Sequence, residues 1–377
     1  MTENPKTGEA NVKLARYWFV VIAAGAFLAQ GSGIASGAEK DWKELIAAAR
    51  KEGKVVVFGP AHQEVRRVLP VEFEKRFGVK MEYMGGRGSA AAAKLTKERA
   101  AGLYTADAAL AGIQTLARQF YAGGMLDPVK PLLLPDVVDG SKWKKGEPWF
   151  IDPEKKYALR LFSYVSEMFT VNTDHVKPED YKTAKDLLLN PKFKGKIVAH
   201  DPRRSGTGSN KAAQLYLEYG EGFLKQFYVD QKPRISRRER QITDWLLRGT
   251  YPVIMGGDFA EIEKMRKEGL PVKSVFALPD LPASLSGGNG NLVVFNKHPH
   301  PAATKLLVNW LASKEGLEVY ARASGRAVTR NDINEAAFLP PQRIPKAGEK
   351  YFDTYDWEFS VKTKRKVRGI MRKLLKK

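Results

Sequence analysis

The sequence predicts an α/β protein of two lobes, each a mainly parallel sheet flanked by helices. Three observations predict it. Residues 39–377 number 339, more than one hydrophobic core usually serves. From Lys54 to Leu110, short apolar runs alternate with amphipathic stretches, the rhythm of βα units laid into a parallel sheet. That rhythm breaks over Gly123–Pro153, and a second βα series begins near Lys196.

Residues 1–38 read as a secretory signal peptide. Lys13 and Arg16 precede a 13-residue apolar run, Tyr17–Ala29, and the small residues Ser36-Gly37-Ala38 close it. The run is shorter than the roughly 20 residues that span a bilayer as a helix. Cleavage after Ala38 makes Glu39 the first mature residue; the alternative is an uncleaved anchor. The chain has no cysteine, which excludes disulfides, thiolate metal sites, a cysteine nucleophile and a lipid anchor on Cys. An exported chain of this size without cysteine fits a bacterial periplasm.

The elements follow in order. Trp42–Lys51 has helical spacing and stops at Gly53. Lys54–Phe58 (KVVVF) has the look of a buried parallel strand. Glu64–Phe77 carries an apolar stripe at Val65, Val68, Leu69, Phe73 and Phe77. Val79–Tyr83 is a second strand, and Ser89 is placed to cap a helix over Ala90–Ala101. Asp107–Leu110 and Ile113–Ala122 complete a third unit. Tyr157–Val171 reads as extended chain crossing between lobes. The second series gives a short helix at Asp186–Leu189, a strand at Lys196–His200, and helices at Lys211–Tyr219, Phe223–Tyr228 and Glu239–Leu247. It continues with a strand at Val253–Met255, a helix at Phe259–Lys267 and a strand at Val272–Phe276. Asn291–Phe295 returns the chain to the first lobe, where Ala302–Ala312 and Glu315–Ala323 are amphipathic helices.

Formal net charge is +21, of which Lys6, Lys13 and Arg16 against Glu3 and Glu9 account for +1 within residues 1–38. Export removes nucleic acid as an ordinary partner, and the basic residues are spread along the chain, so the charge reads as solubility plus attraction of anions. Ser360–Lys377 is denser, with nine Lys or Arg and no acid. It reads as a solvated helix end, with contact to anionic lipid heads as the alternative.

The loop Asp201-Pro-Arg-Arg-Ser-Gly-Thr-Gly-Ser-Asn210 follows a strand and precedes a helix. Glycines allow close approach of a ligand, and N–H groups at a helix start favour an anion. Ser205, Gly206 and Thr207 supply hydroxyls and backbone, and Arg203 or Arg204 a guanidinium fork. The loop is neither a dinucleotide fingerprint, which needs a third glycine, nor a phosphate loop, which needs Gly-Lys-Ser/Thr. A capped turn with surface arginines is the plainer alternative. Gly85–Ser89 places Arg87 and Ser89 at the carboxyl end of the second strand, where open α/β sheets bind ligands. His62 and Asp258 hold matching places after strands of the two lobes, though Asp258 also suits a helix cap. Tyr164 is a candidate cleft aromatic, with core packing as the alternative, and Asn289 sits in the Gly-rich bend before the return strand. The histidines form no HxxxH or HExxH pattern, no Gly-x-Ser-x-Gly elbow occurs, and no serine has an obvious base.

Read together, these residues resemble the periplasmic solute-binding proteins of ABC importers, of the iron(III)/phosphonate-type extracellular solute-binding family 1 with the type II two-lobed fold. The likeness covers nearly all of 40–335. It rests on Lys54-Val-Val-Val-Phe-Gly-Pro-Ala-His-Gln-Glu64, Phe73-Glu-Lys-Arg-Phe77, Lys97-Glu-Arg-Ala-Ala-Gly102 with Thr105-Ala-Asp107, Ser205-Gly-Thr207, Gly288–Phe295 and Ala312-Ser-Lys-Glu-Gly316. The interrupted βα series and the two extended crossings put lobe 1 at 39–162 and 286–340 and lobe 2 at 163–285, with a basic C-terminal extension at 341–377. The resemblance implies a binding protein rather than an enzyme, without a cofactor, acting as a monomer that delivers a solute to an ABC permease. His62 matches the histidine of ferric members, but their glutamate falls near Ile113 and their tyrosine pair at Asp258-Phe259, so both are replaced. The expected ligand is therefore a small anionic solute, a phosphonate or other organic anion. Iron(III) or another metal held by His62 and Asp258 is the alternative, and an exported two-domain enzyme is the rival from another class.

Overall fold

In the computed structural model, residues 40–376 are described. The signal-peptide reading, 1–38, lies outside the described residues. Helix α1 (40–52) leads into β1 (Lys54–Gly59), α2 (Gln63–Phe77), β2 (Lys80–Gly85), α3 (Gly88–Ala100), β3 (Ala108–Ala111) and α4 (Ile113–Thr115), whose continuation widens over Leu116–Tyr121. The Pro- and Gly-rich stretch holds β4 (Leu126–Asp127) and α5 (Pro135–Val138). The extended stretch resolves into β5 (Leu159–Arg160), β6 (Tyr164–Ser166) and β7 (Phe169–Asn172). The second series runs α6 (Ala184–Leu188), β8 (Ile197–His200), α7 (Thr207–Lys225), β9 (Arg234–Ser236), α8 (Glu239–Leu247), β10 (Val253–Met255), α9 (Phe259–Lys267) and β11 (Val272–Val275). Then come β12 (Ser284–Ser286), β13 (Asn291–Phe295), α10 (Pro301–Ala312), α11 (Lys314–Ser324), β14 (Phe352–Asp353) and α12 (Lys364–Leu374).

The first lobe is built on a sheet of order β2-β1-β3-β13-β4, with β5 also on β13. The second has the order β11-β7-β10-β8-β9. Each sheet contains one strand that runs against the rest: β13 in the first, β7 in the second. These are the strands the chain enters directly after crossing from one lobe to the other. The crossings themselves, β6 and β12, pair antiparallel as a small third sheet that joins the lobes, and β14 adds to it in parallel with β12.

Local chemistry explains the frame. β1 and β3 are buried along nearly their whole length, as parallel strands covered on both faces must be. On α2, Val65, Leu69, Phe73 and Phe77 fall every four residues on one face and pack with Trp310 of α10. Gly78 ends that helix at φ 68, a left-handed turn that glycine adopts freely.

Three expectations change. Helix α3 begins at Gly88 with Arg87 in the cap position, so Ser89 lies in its first turn and caps nothing. Helix α7 starts at Thr207 rather than Lys211, because Gly206 turns at φ 123 and lets the helix begin against the strand end; Gly220, at φ 81, then breaks it. The basic tail is not a solvated helix end. Its apolar face, Phe359, Val367 and Met371, is buried in the core of the second lobe, and α12 lies on α7.

Candidate functional site

Helices α7, α8 and α9 follow β8, β9 and β10, whose carboxyl ends face the gap between the lobes. Their N-termini therefore point at one interlobe cavity of about 190 Å³. The first lobe contributes His62, at the start of α2, and Ser324-Gly325-Arg326 from the end of α11. The crossing strands contribute Tyr164, Ser166, Ser284 and Ser286, and the C-terminal segment contributes Arg343 and Thr354. The volume suits a small solute and is below the usual range for drug-sized ligands.

Three cations line the cavity and differ in their partners. Lys211 is buried and donates to the carbonyls of Glu167 and Met168, both at 2.7 Å. Burial holds its ammonium down at about 8, against the pull of Glu167. Arg343 pairs through Nη1 with Glu167 at 2.9 Å, while its buried Nε has no acceptor among the described residues. Burial likewise lowers its pKa. Arg326 is half-buried, and its guanidinium has no hydrogen bond or ion pair among the described residues. Its guanidinium lies over the rings of Tyr164 at 5.4 Å and Phe162 at 6.0 Å, contacts that hold its plane without satisfying its donors. Glycine at 288 makes room for it, since a Cβ there would come within 2.3 Å of Arg326 Nη1.

The helix starts differ as well. Asp258 accepts from the N–H groups of Ala260 at 2.9 Å and Glu261 at 3.2 Å, so α9 is closed by its own carboxylate. Glu239 opens α8, and its carboxyl is pushed up by desolvation and by the charges of Asp258 and Glu167, with Arg326 opposing. No side chain caps α7, whose first residue, Thr207, lines the cavity. His62 is kept neutral first by desolvation and then by Arg326. The cavity thus offers free donors, at Arg326 and the start of α7, together with carboxylates and hydroxyls.

Of the residues singled out from sequence, His62, Tyr164, Thr207 and Asp258 meet in this cavity. Gly206 adjoins it as the turn before α7. Arg203 folds back on Asp201, donating from Nε at 2.9 Å and Nη2 at 3.1 Å, and reaches the carbonyl of Leu375. Ser205 accepts a hydrogen bond from Arg368 at 3.1 Å. Arg204, Arg87 and Ser89 are exposed away from the cavity, and Asn289 receives the Tyr320 hydroxyl on its carbonyl. Among the described residues no group of three or more His, Asp or Glu is placed to hold a metal ion. Arg326, Arg343, Lys211 and Glu239 were missed; no local motif marks them, and only the position of Arg326 just after an amphipathic helix of the first lobe hints at a loop facing the gap.

A family model for bacterial extracellular solute-binding proteins matches residues 59–318. An uncharacterized protein of Haemophilus influenzae is 24% identical over 281 residues, 72% of this chain and 76% of that one. Among solved structures, the periplasmic binding protein AfuA from Actinobacillus pleuropneumoniae, with exogenous fructose-6-phosphate bound, gives a TM-score of 0.63 at 20% identity, covering 85% of this chain and 97% of that one. Iron-bound HitA from Pseudomonas aeruginosa gives 0.62 at 14%, covering 85% and 99%. The Trichodesmium protein IdiA (FutA), in complex with iron and citrate, gives 0.65 at 18%, covering 86% and 100%. At these identities the structural likeness carries the two-lobed fold and nothing finer.

Proposed function

The chain belongs to the bacterial extracellular solute-binding protein family, and on that premise we propose that it captures a small organic anion between its lobes and presents it to an ABC permease. Its family and fold are those of binding proteins, not enzymes, and place its work outside the cytoplasmic membrane. The observation that carries the anionic reading is Arg326: a permanently charged guanidinium, half-buried in the cavity, with none of its donors taken. A carboxylate, phosphonate or phosphate between Arg326 and the open start of α7 satisfies both. The serines, His62 and the carboxylates of Glu239 and Asp258 would then receive hydroxyl groups, so a hydroxylated organic phosphate of the kind held by AfuA suits the cavity better than a bare ion.

The capturing motion is closure of one lobe, 39–162 with 286–340, on the other, 163–285, about the crossing strands, with the protein acting as a monomer. Screening organic phosphates, phosphonates, carboxylates and iron(III) by thermal shift identifies the solute. Calorimetry on Arg326→Gln is expected to show an affinity loss of roughly a hundredfold for the best anion. An unchanged affinity removes the anion from this cavity, and tight iron(III) binding with no anion bound favours the metal reading through His62 and Asp258. Small-angle scattering with saturating solute should show a more compact particle; identical dimensions defeat the closure.

A further inference from the structure

Arg368 of α12 is 4% exposed, and among the described residues no carboxylate pairs with it. Its Nη1 donates to Gln114 Oε1 at 2.6 Å and to Ser205 Oγ at 3.1 Å, tying the C-terminal helix to both lobes. Its Nη2 is buried with no hydrogen-bond partner. Arg365 and Arg372 stand three residues before and four after it on α12, and Arg118 stands four residues after its partner Gln114; all three push against its charge. All three are exposed, and none has an ion pair or hydrogen bond among the described residues. Burial first, and then these three guanidiniums, pull Arg368 down to about 10. A guanidinium with an orphaned buried donor, ringed by its own kind, is a costly arrangement in the absence of a counter-charge.

We propose that this junction of the α4 turn, the loop before α7 and α12 is a second binding site, for a phosphate-class oxyanion. A tetrahedral group with several acceptor oxygens and up to two charges takes the free Nη2 of Arg368 on one oxygen and leaves others for Arg118, Arg365 and Arg372 from outside. A planar carboxylate has too few oxygens to meet guanidiniums approaching from the helix and from the opposite lobe. The site is separate from the solute cavity, none of whose lining residues it uses. The anion is either free phosphate or the headgroup phosphate of an anionic lipid. The apolar face of α12 is buried in the second lobe, so contact with a membrane here is peripheral and electrostatic, without insertion.

The test uses the whole protein on the Arg326→Gln background, which weakens anion binding in the cavity roughly a hundredfold and so keeps the two sites distinguishable. Calorimetric titration with inorganic phosphate in low-salt buffer should show one binding event. Arg118→Gln, Arg365→Gln and Arg372→Gln, all at exposed positions, should each weaken it roughly tenfold, with melting temperature unchanged in phosphate-free buffer. Arg368→Gln should abolish it; the exposed variants stand as the test should that buried substitution fail to fold. Co-sedimentation with phosphatidylglycerol vesicles but not phosphatidylcholine, lost in Arg365→Gln, assigns the phosphate to lipid. Phosphate binding without co-sedimentation assigns it to a soluble anion. No phosphate or vesicle binding by the Arg326→Gln protein, or binding that the three exposed variants leave unchanged, overturns the site.

Discussion

Helices α7 and α9 leave the same sheet from neighbouring strands, β8 and β10, and aim their N-termini into the same gap, yet one end is open and the other closed. Asp258 folds over the start of α9 and satisfies the N–H groups of Ala260 and Glu261. At α7 the equivalent place is held by Gly206, which has no side chain to offer, and the next residues approach the strand end closely. A helix start carries partial positive charge, and a carboxylate supplied by the chain cancels it as well as a ligand would. On the proposed anionic reading the difference divides labour: α7 stays open for an incoming anion, while α9 presents a carboxylate to the rest of the solute.

The comparison breaks most completely at Gly208. A Cβ there would lie 2.2 Å from the carbonyl oxygen of His200 and 2.7 Å from the backbone of Asp201, both rigid. Gly208→Ala should displace the start of α7, with a stability loss of about 3 kcal/mol and no measurable solute binding. A normal melting temperature with full affinity would mean that the helix start is not what holds the anion.

The second prediction concerns what backs α7. Lys364 of α12 is buried and donates to Asn210 Oδ1 at 3.0 Å and to the carbonyl of Thr354 at 2.8 Å. Burial, reinforced by Arg368, lowers it from 10.5 to about 7. The unfolded chain then binds a proton that the folded chain lacks between those values, so stability rises with pH from about 7 toward 10.5, by about 1 kcal/mol per pH unit for one such group. Chemical denaturation from pH 7 to 9 should show that rise, and Lys364→Met should flatten it by one proton; an identical slope in the variant removes Lys364 from the account.

Smaller effects separate the two helix starts directly. Thr207→Val keeps shape and removes one hydroxyl, and calorimetry should show solute affinity falling roughly tenfold. Asp258→Ala should instead cost about 1 kcal/mol of stability through the lost cap and weaken binding of hydroxylated anions only, leaving the affinity for inorganic phosphate undiminished. If the two variants exchange these results, the roles assigned to α7 and α9 are reversed.

Sequence legibility followed how local each signal is. The bounds of α8, α9, β10 and β13 match their expected ranges because apolar period and flanking turns specify them within a few residues. The start of α7 was misjudged because its cause is a contact between Gly208 and the backbone of β8, invisible along the chain. Arg203 was read as a ligand fork, although Asp201, two residues before it, already offered a nearer partner. Arg326 and Arg343 were missed for the opposite reason. What distinguishes Arg326 from other lysines and arginines is an unpaired guanidinium half-buried in the cleft, and what distinguishes Arg343 is the route by which the C-terminal segment returns to the cleft. Both are properties of assembled lobes.

The placement of residues 352–371 bears on the order in which the protein forms. β14 completes the sheet between the lobes, and Phe359, Val367 and Met371 fill part of the second lobe's core beside residues as early as Phe169. A ribosome or a secretion channel delivers the chain from its beginning, so Phe169 and its neighbours emerge long before the side chains that cover them. The core of the second lobe lacks these side chains until residues 352–371 dock. Docking of residues 352–371 is thus the step that completes both the core of the second lobe and the sheet between the lobes.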